Sequence, residues 1–301
     1  MARVSEQVEW LSLVDTSGPF IAATVLEDVF PQGLEKIETP RRQRLRAAYD
    51  EWRDAVDEDD PELAELHAAW IRMVLQEALE YEDEVLIPRD RLGGRLAYRA
   101  PEHGVEIAPD FAVQGDDGRP RLLIAVHPPE TDLEKPLPGD RWPVSPLERM
   151  TVLCRANDVR VGLVTDGERW TVVNAPVGGT SGYATWLARL WWQEPVTFRA
   201  FVSLLGVRRC FGAEDQRLDR LLEKSIAFQE EVTDTLGEQV RRAVEVLIQA
   251  LGRADQDRNG ELLKDVGPAE LYEAGLTVMM RLVFLLCAEE RGLLLLGEPL
   301  Y

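Results

Sequence analysis

The stretch "VRVGLVTDGERWTVVNA" (159–175) constrains the fold more than any other. It holds two apolar runs joined by Thr-Asp-Gly-Glu, a strong hairpin signal. Just before it, "SPLERMTVLCRAND" reads as a helix, with Ser145 as its cap, Pro146 at its first position and Glu148 completing a capping box. Upstream of a proline-rich loop (128–146), "GRLAYRA", "APDFAV" and "RLLIAVH" are short strand-like segments separated by turn residues. Residues 61–81 open with Pro61 after an Asp and carry Leu63, Leu66, Trp70, Met73 and Val74 as a buried helical stripe. The order helix, three strands, helix, hairpin predicts a mixed α/β unit with a partly antiparallel sheet.

The flanks read as helical. Residues 4–57 carry apolar residues at helical spacing in "VSEQVEWLSLV" and "GPFIAATVLEDVF", and "TPRRQRLRAAYDEWRDAV" begins on a Thr-Pro start signal. Beyond "GGTSGYAT" the chain is expected to turn helical again through "TWLARLWW" and "EPVTFRAFVSLLG". A long amphipathic segment follows over about 214–252, then an apolar helix from Pro268 to Arg291. The expected organisation is a helical N-terminal region (1–60), an α/β core (61–178) and a helical connector (179–301). The closing "RGLLLLGEPLY" stops in apolar residues with no tapering tail, which fits a chain cut from a longer protein.

Composition narrows the function classes. The 301 residues are 45% hydrophobic, enough for a sizeable core. A formal charge of −20 argues against a surface that is basic all over, though a local basic groove remains compatible with it. Cys154, Cys210 and Cys287 lie far apart, so free thiols in a reducing cytoplasm are expected rather than a disulfide framework. With His67, His103 and His127 as the three histidines, a zinc cluster at any usual spacing is excluded. The start "MARVSEQVEW" has no apolar signal core, and Arg281 interrupts the most apolar run, Leu276 to Ala288, so a membrane role is not expected.

Chemistry is concentrated in "APDFAVQGDDGRPRLLIAVHPP" (108–129). Metal-dependent phosphodiester cleavage needs paired carboxylates to hold Mg²⁺ and a cation to help activate water. Side chains two apart on a strand share a face, so an acid and a lysine at i and i+2, opposite an aspartate on the neighbouring strand, meet that need. Here Asp110 begins one strand, and Ala125 and His127 share a face on the next. Glu77 lies one turn beyond Met73 and Val74, at or beside the buried stripe of helix 61–81, and is the candidate second metal ligand, with Glu80 a turn further on. Ala125 cannot ligand a metal. His127 could bind metal, donate a proton or contact phosphate, but cannot replace both an acid and a lysine. Each residue also has a plainer reading: Asp110 as a strand-start residue, Glu77 as a solvated helix edge, His127 as a strand-end hydrogen-bonding group.

"VHPPETD" superficially matches the Asn/Asp-Pro-Pro-aromatic loop of adenine methyltransferases, but Glu130 stands at the aromatic position and no glycine-rich cofactor loop follows a strand nearby. The clusters Arg41, Arg42, Arg44 and Arg46; Arg208 and Arg209; and Arg241 and Arg242 read as solvated helix faces diluted by acids. "TWLARLWW" reads as core or interface rather than a platform for stacked bases.

Taken together, "APDFAV", "RLLIAVHPPETDLEKP", "SPLERMTVLCRANDVRVGLVTDGERWTVV" and "LYEAGLTVMMRLVFLLCAEERGLL" resemble the N-terminal part of type IIG-like restriction–modification proteins, related to the adenine-specific methylases of BREX- and DISARM-type phage defence. "LVTDGERW" is also similar to the TNG-x-x-W hairpin of restriction-subunit nuclease domains. The resemblance implies a PD-(D/E)xK-like mixed sheet flanked by helices, an α/β (α+β) fold, with helical N- and C-terminal regions. It implies Mg²⁺, DNA and defence-system subunits as cofactor and partners. Asp110 then matches the metal-binding aspartate, while the second acid and the lysine fall on Ala125 and His127. S-adenosylmethionine would belong to a methyltransferase part beyond this chain. Three readings follow: a weakened nuclease fold that engages DNA or partners, an active Mg²⁺-dependent endonuclease, and a free-standing acidic interaction module.

Overall fold

The computed structural model describes residues 6–115, 117–290 and 294. The chain divides into two compact units, Met1–Ala227 and Phe228–Tyr301. The first begins with α1 (Glu6–Glu9), β1 (Asp15–Ser17), α2 (Ala23–Val29), α3 (Thr39–Asp57) and α4 (Leu63–Met73). One wider π turn, Val74–Ala78, prolongs α4. There follow β2 (Leu86–Pro88), α5 (Arg89–Leu92), β3 (Tyr98–Ala100), β4 (Val105–Ile107), β5 (Phe111–Gln114) and β6 (Pro120–Val126). Next come α6 (Pro146–Ala156), β7 (Val161–Thr165), β8 (Arg169–Asn174) and β9 (Gly182–Leu187). Helices α7 (Leu190–Gln193), α8 (Pro195–Leu205) and α9 (Val207–Phe211) precede the long α10 (Leu218–Asp257), and α11 (Pro268–Glu290) closes the described chain.

Seven strands form one mixed sheet in the order β1-β9-β8-β7-β6-β5-β2. Among its pairs only β6 and β7 run parallel, because α6 supplies the crossover between them; the others are antiparallel. All five residues of β7 and five of the six in β8 are buried, as expected of strands covered on both faces. Leu122 and Ile124 on β6 point into a tryptophan-rich core, whereas Leu123 points into a second core beneath α6. Gly162 permits the close approach of α6 to the sheet: a Cβ there would lie 2.4 Å from Met150 Cγ. The Ser145 capping box forms as expected, with Ser145 Oγ accepting from Glu148 N–H and the Glu148 carboxylate accepting from Ser145 N–H.

Several expectations need correction. The strand read in "GRLAYRA" pairs with β4 in a separate two-stranded sheet, and the third strand beside β5 and β6 is instead β2, three residues long. Much of "TWLARLWW" is not helical: Thr185–Leu187 ends β9, whose alternating burial places Ala184 and Trp186 in the core. The N-terminal region also contributes a strand, β1, which pairs with β9. Beyond these corrections, the tryptophan-rich core draws on Trp10, Leu26, Trp52, Trp186, Phe201 and Leu222, all within the Met1–Ala227 unit. The start "MARVS" and, apart from Leu294, the closing "RGLLLLGEPLY" lie outside the described residues.

In the second unit, α11 meets the later part of α10, with Val244 fully buried and a Cβ at Gly275 lying 3.4 Å from Val244 Cγ1. Pro268–Glu289 is long and apolar enough to cross a bilayer by length and composition, a longer span than the Leu276–Ala288 run suggests. Only 11% of its most apolar stretch is buried.

Candidate functional site

Asp110 sits where β5 begins, immediately after Pro109. Its backbone N–H donates to Ile124 O (2.8 Å), and its carboxylate Oδ2 accepts from Val126 N–H (2.7 Å). The side chain thus does the work of a backbone carbonyl at the point where the β5–β6 ladder ends. The other oxygen, Oδ1, lies 3.2 Å from Arg89 Nη2. Arg89 also donates through Nε to Pro109 O (3.1 Å) and through Nη2 to Ala108 O, while its own N–H donates to Asp110 O. Asp110 is therefore clamped from two sides.

His127 follows β6 and is held by its backbone. Its N–H donates to Thr165 O (2.8 Å), and its carbonyl lies 3.0 Å from His67 Nε2. Trp52 Nε1 can only donate, and it lies 3.1 Å from His67 Nδ1. His67 must then carry its proton on Nε2 and donate to His127 O. Burial pushes the His67 pKa below the ordinary imidazole range, against the smaller effect of its bond to His127. Burial likewise lowers that of His127; the Asp110 carboxylate opposes the shift and the Arg149 guanidinium adds to it. Among the described residues no hydrogen bond engages the His127 ring. The structure thus brings Asp110 and His127 together, with an imidazole that has no hydrogen-bond partner among the described residues beside a carboxylate engaged through both oxygens.

The 165–168 turn supports this arrangement from below. Asp166 is 1% exposed and its Oδ1 accepts from the N–H groups of Glu168 (3.1 Å) and Arg169 (2.6 Å). Gly167 has φ +92°, and its carbonyl accepts from Trp70 Nε1 (2.8 Å) and Trp170 Nε1 (3.0 Å). A Cβ at Gly167 would lie 2.6 Å from Trp52 Cζ2 and 3.0 Å from His67 Cε1. Glycine is needed there both for the backbone conformation and for the tryptophan–histidine layer packed on the turn.

Glu77 is committed elsewhere. Its carboxylate Oε2 accepts from Arg44 (2.8 Å), and Glu80 Oε1 accepts from Arg41 (2.6 Å). Arg41 also donates to the carbonyls of Glu77 and Ala78, satisfying acceptors that the helix end leaves free. The basic cluster of α3 is therefore spent in part on these two acids. A Mg²⁺ site of the kind implied by the family resemblance needs a second carboxylate beside Asp110. Ala125 supplies none, Glu77 is paired with Arg44, and both Asp110 oxygens are engaged. Among the described residues no group of three His, Cys, Asp or Glu side chains is placed to hold a metal ion. These residues do not fit the ion.

Two residues of the site, Arg89 and His67, are invisible to a reading of strand motifs. Arg89 follows Pro88 in a stretch without periodicity. His67 lies three residues before Trp70 on the buried side of α4, a position that reads as core. Comparison with family models, with curated proteins and with solved structures finds no match to this chain.

Proposed function

We propose that this chain is the nuclease-like region of a DNA restriction–modification or phage-defence methylase, acting in the cytoplasm, in which a weakened PD-(D/E)xK-like fold engages DNA or partner subunits without cleaving DNA. The observation that carries the reading is the order of α4, the antiparallel β2-β5-β6 set, the α6 crossover and parallel β7, with Asp110 at the start of β5 and Ala125 and His127 at the far end of β6. The loss of cleavage follows from the side chains: Asp110 serves as a backbone clamp, Ala125 has no ligand atom, and Glu77 neutralises Arg44. On this reading S-adenosylmethionine belongs to a methyltransferase part outside these residues. One observation favours a second reading, an active endonuclease: the free imidazole of His127 beside Asp110.

Incubating the purified chain with supercoiled plasmid and Mg²⁺ or Mn²⁺, beside Asp110→Asn and His127→Ala, separates the two. No nicking by any form is expected, together with retention of a duplex in a gel-shift assay. Nicking by the wild type that both variants abolish would establish the second reading instead. Failure to retain duplex DNA would leave partner subunits as the role of the fold.

A further inference from the structure

At the opposite end of β6 and β7 from His127 lies a cavity of about 750 Å³, within the range of small-ligand sites. It is walled by the start of β6, the loop between α6 and β7, the junction of α8 with α9, and the first turn of α10. Six arginines line it, Arg119, Arg121, Arg160, Arg209, Arg217 and Arg220, against three acidic residues. The local excess of three positive charges stands out in a chain of formal charge −20.

The acids satisfy only part of this charge. Arg217 pairs with Glu214 (3.4 Å) and Asp219 (3.5 Å), Arg220 with Glu214 (2.9 Å) and Glu223 (2.7 Å), and Arg121 with Asp117 (3.1 Å). Among the described residues Arg119, Arg160 and Arg209 form no ion pair. Arg160 is oriented by a bond from Nε to Asn174 Oδ1 (3.1 Å), which leaves its two terminal nitrogens free. Arg209 donates Nε to Ser203 O (3.1 Å) and Nη1 to Gln216 O (3.0 Å), stacks over Phe30, and keeps Nη2 free. Burial lowers the pKa of both, against the opposing pull of Glu223 and Asp219 on Arg160 and of Glu35 on Arg209. The Nε atoms of Arg121 and Arg217 are buried without a hydrogen-bond partner. Pre-oriented guanidinium forks around a concave space suit phosphate oxygens, which they contact in pairs.

We propose that this cavity binds a small phosphate-bearing ligand carrying at least two phosphate groups, with Arg160 and Arg209 as its inner contacts and Arg119 at its rim. The site stands on the cavity alone and is independent of DNA engagement near Asp110. The phosphates could come from a free inorganic polyphosphate or from a nucleotide, and the arms of the test separate these sources, with the oligonucleotide as the contrast.

The test is calorimetric titration of the full chain with pyrophosphate, adenosine triphosphate and a short duplex oligonucleotide, repeated with Arg160→Gln, Arg119→Ala and, as a remote control, Arg241→Ala. Thermal melts establish that each variant folds. The proposal expects pyrophosphate and the nucleotide to bind, with about tenfold or greater weakening in Arg160→Gln, the scale of a lost charged hydrogen bond. Arg119→Ala should weaken binding less, since an exposed rim contact is screened, and Arg241→Ala should not change it. Absence of pyrophosphate and nucleotide binding overturns the proposal, even if the oligonucleotide binds. So does binding that Arg160→Gln and Arg119→Ala leave unchanged.

Discussion

All eight tryptophans lie in the Met1–Ala227 unit, and Trp10, Trp52, Trp70, Trp170, Trp186 and Trp191 are fully buried there. On α11, in the other unit, Phe284 is 72% exposed, Leu286 63% and Met280 55%. Both regions are rich in large apolar side chains, yet only the first encloses them. The reason is architectural. A seven-stranded sheet with helices on its faces has two interiors to fill, and the first unit fills both. Two helices in contact bury one stripe each and leave the remaining apolar residues to solvent. Burial in the first unit thus reports packing between elements, whereas apolar content in the second does not.

The largest effect that tests this contrast is expected at Trp70. Its ring stacks on Trp52 with centroids 6.1 Å apart, and its indole N–H donates to Gly167 O, which binds the core to the turn beneath His127. Trp70→Ala should cost about 3–5 kcal/mol, read as a fall in the midpoint of urea unfolding followed by tryptophan fluorescence, a signal arising wholly from the first unit. A loss under about 1 kcal/mol would mean that this layer is loosely packed and the contrast overstated. Gly167→Ala comes next. It places a Cβ against Trp52 and forces a φ of +92° on an L-residue, for a cost of about 1–3 kcal/mol by the same measurement.

What was legible in the sequence follows the same division between local and long-range causes. The Ser145 box, the 161–174 hairpin and helices α3 and α4 announce themselves because capping, turn chemistry and periodicity act over a few residues. Strand β9 does not, because "TWLARLWW" is apolar enough to satisfy either period and only pairing with β8 and β1 decides it. β1 is exposed at all three residues and has no local signal whatever. Within the candidate site, Asp110 and His127 could be read from strand spacing. The His67 bond to His127 O spans 60 residues, and Glu77 finds Arg44 across 33, so the contacts that decide what these side chains can do arise only in the folded chain. The arginine cavity, assembled from several separate segments, leaves no trace in any one motif.

A smaller effect comes from pH. Burial lowers the pKa of His67 and His127 in the folded chain relative to the ordinary value of 6.5. Above that value both states are neutral and the stability is fully present. As pH falls through it, the unfolded chain takes up protons first, so stability is lost on acidification. The melting temperature should therefore drop between about pH 7.5 and about pH 5.5, and the drop should shrink in His67→Gln. Asp166, whose pKa burial raises, contributes with the opposite sign, and comparison of the two proteins subtracts it because both carry it. An undiminished drop in the variant would show that His67 titrates as freely as in the unfolded chain, and that the Trp52–His67–His127 link is not closed in solution.

The smallest effect is expected where the apolar residue is largest and least covered. Phe284→Ser removes a ring that is 72% exposed. With little surface withdrawn from water by folding, little is lost on truncation, so the change should stay within about 0.5 kcal/mol. Tryptophan fluorescence is blind to this unit, and far-UV circular dichroism, which counts the long helices α10 and α11, is the measurement to use. The outcome bears directly on the contrast between the units. A negligible change means that the α11 face contributes nothing to its own folding, so its apolar character must be explained by something other than stability. A loss comparable to that of Trp70→Ala would mean the ring is buried in solution, and the distinction between an enclosed unit and an open helix pair would fail at its most exposed residue.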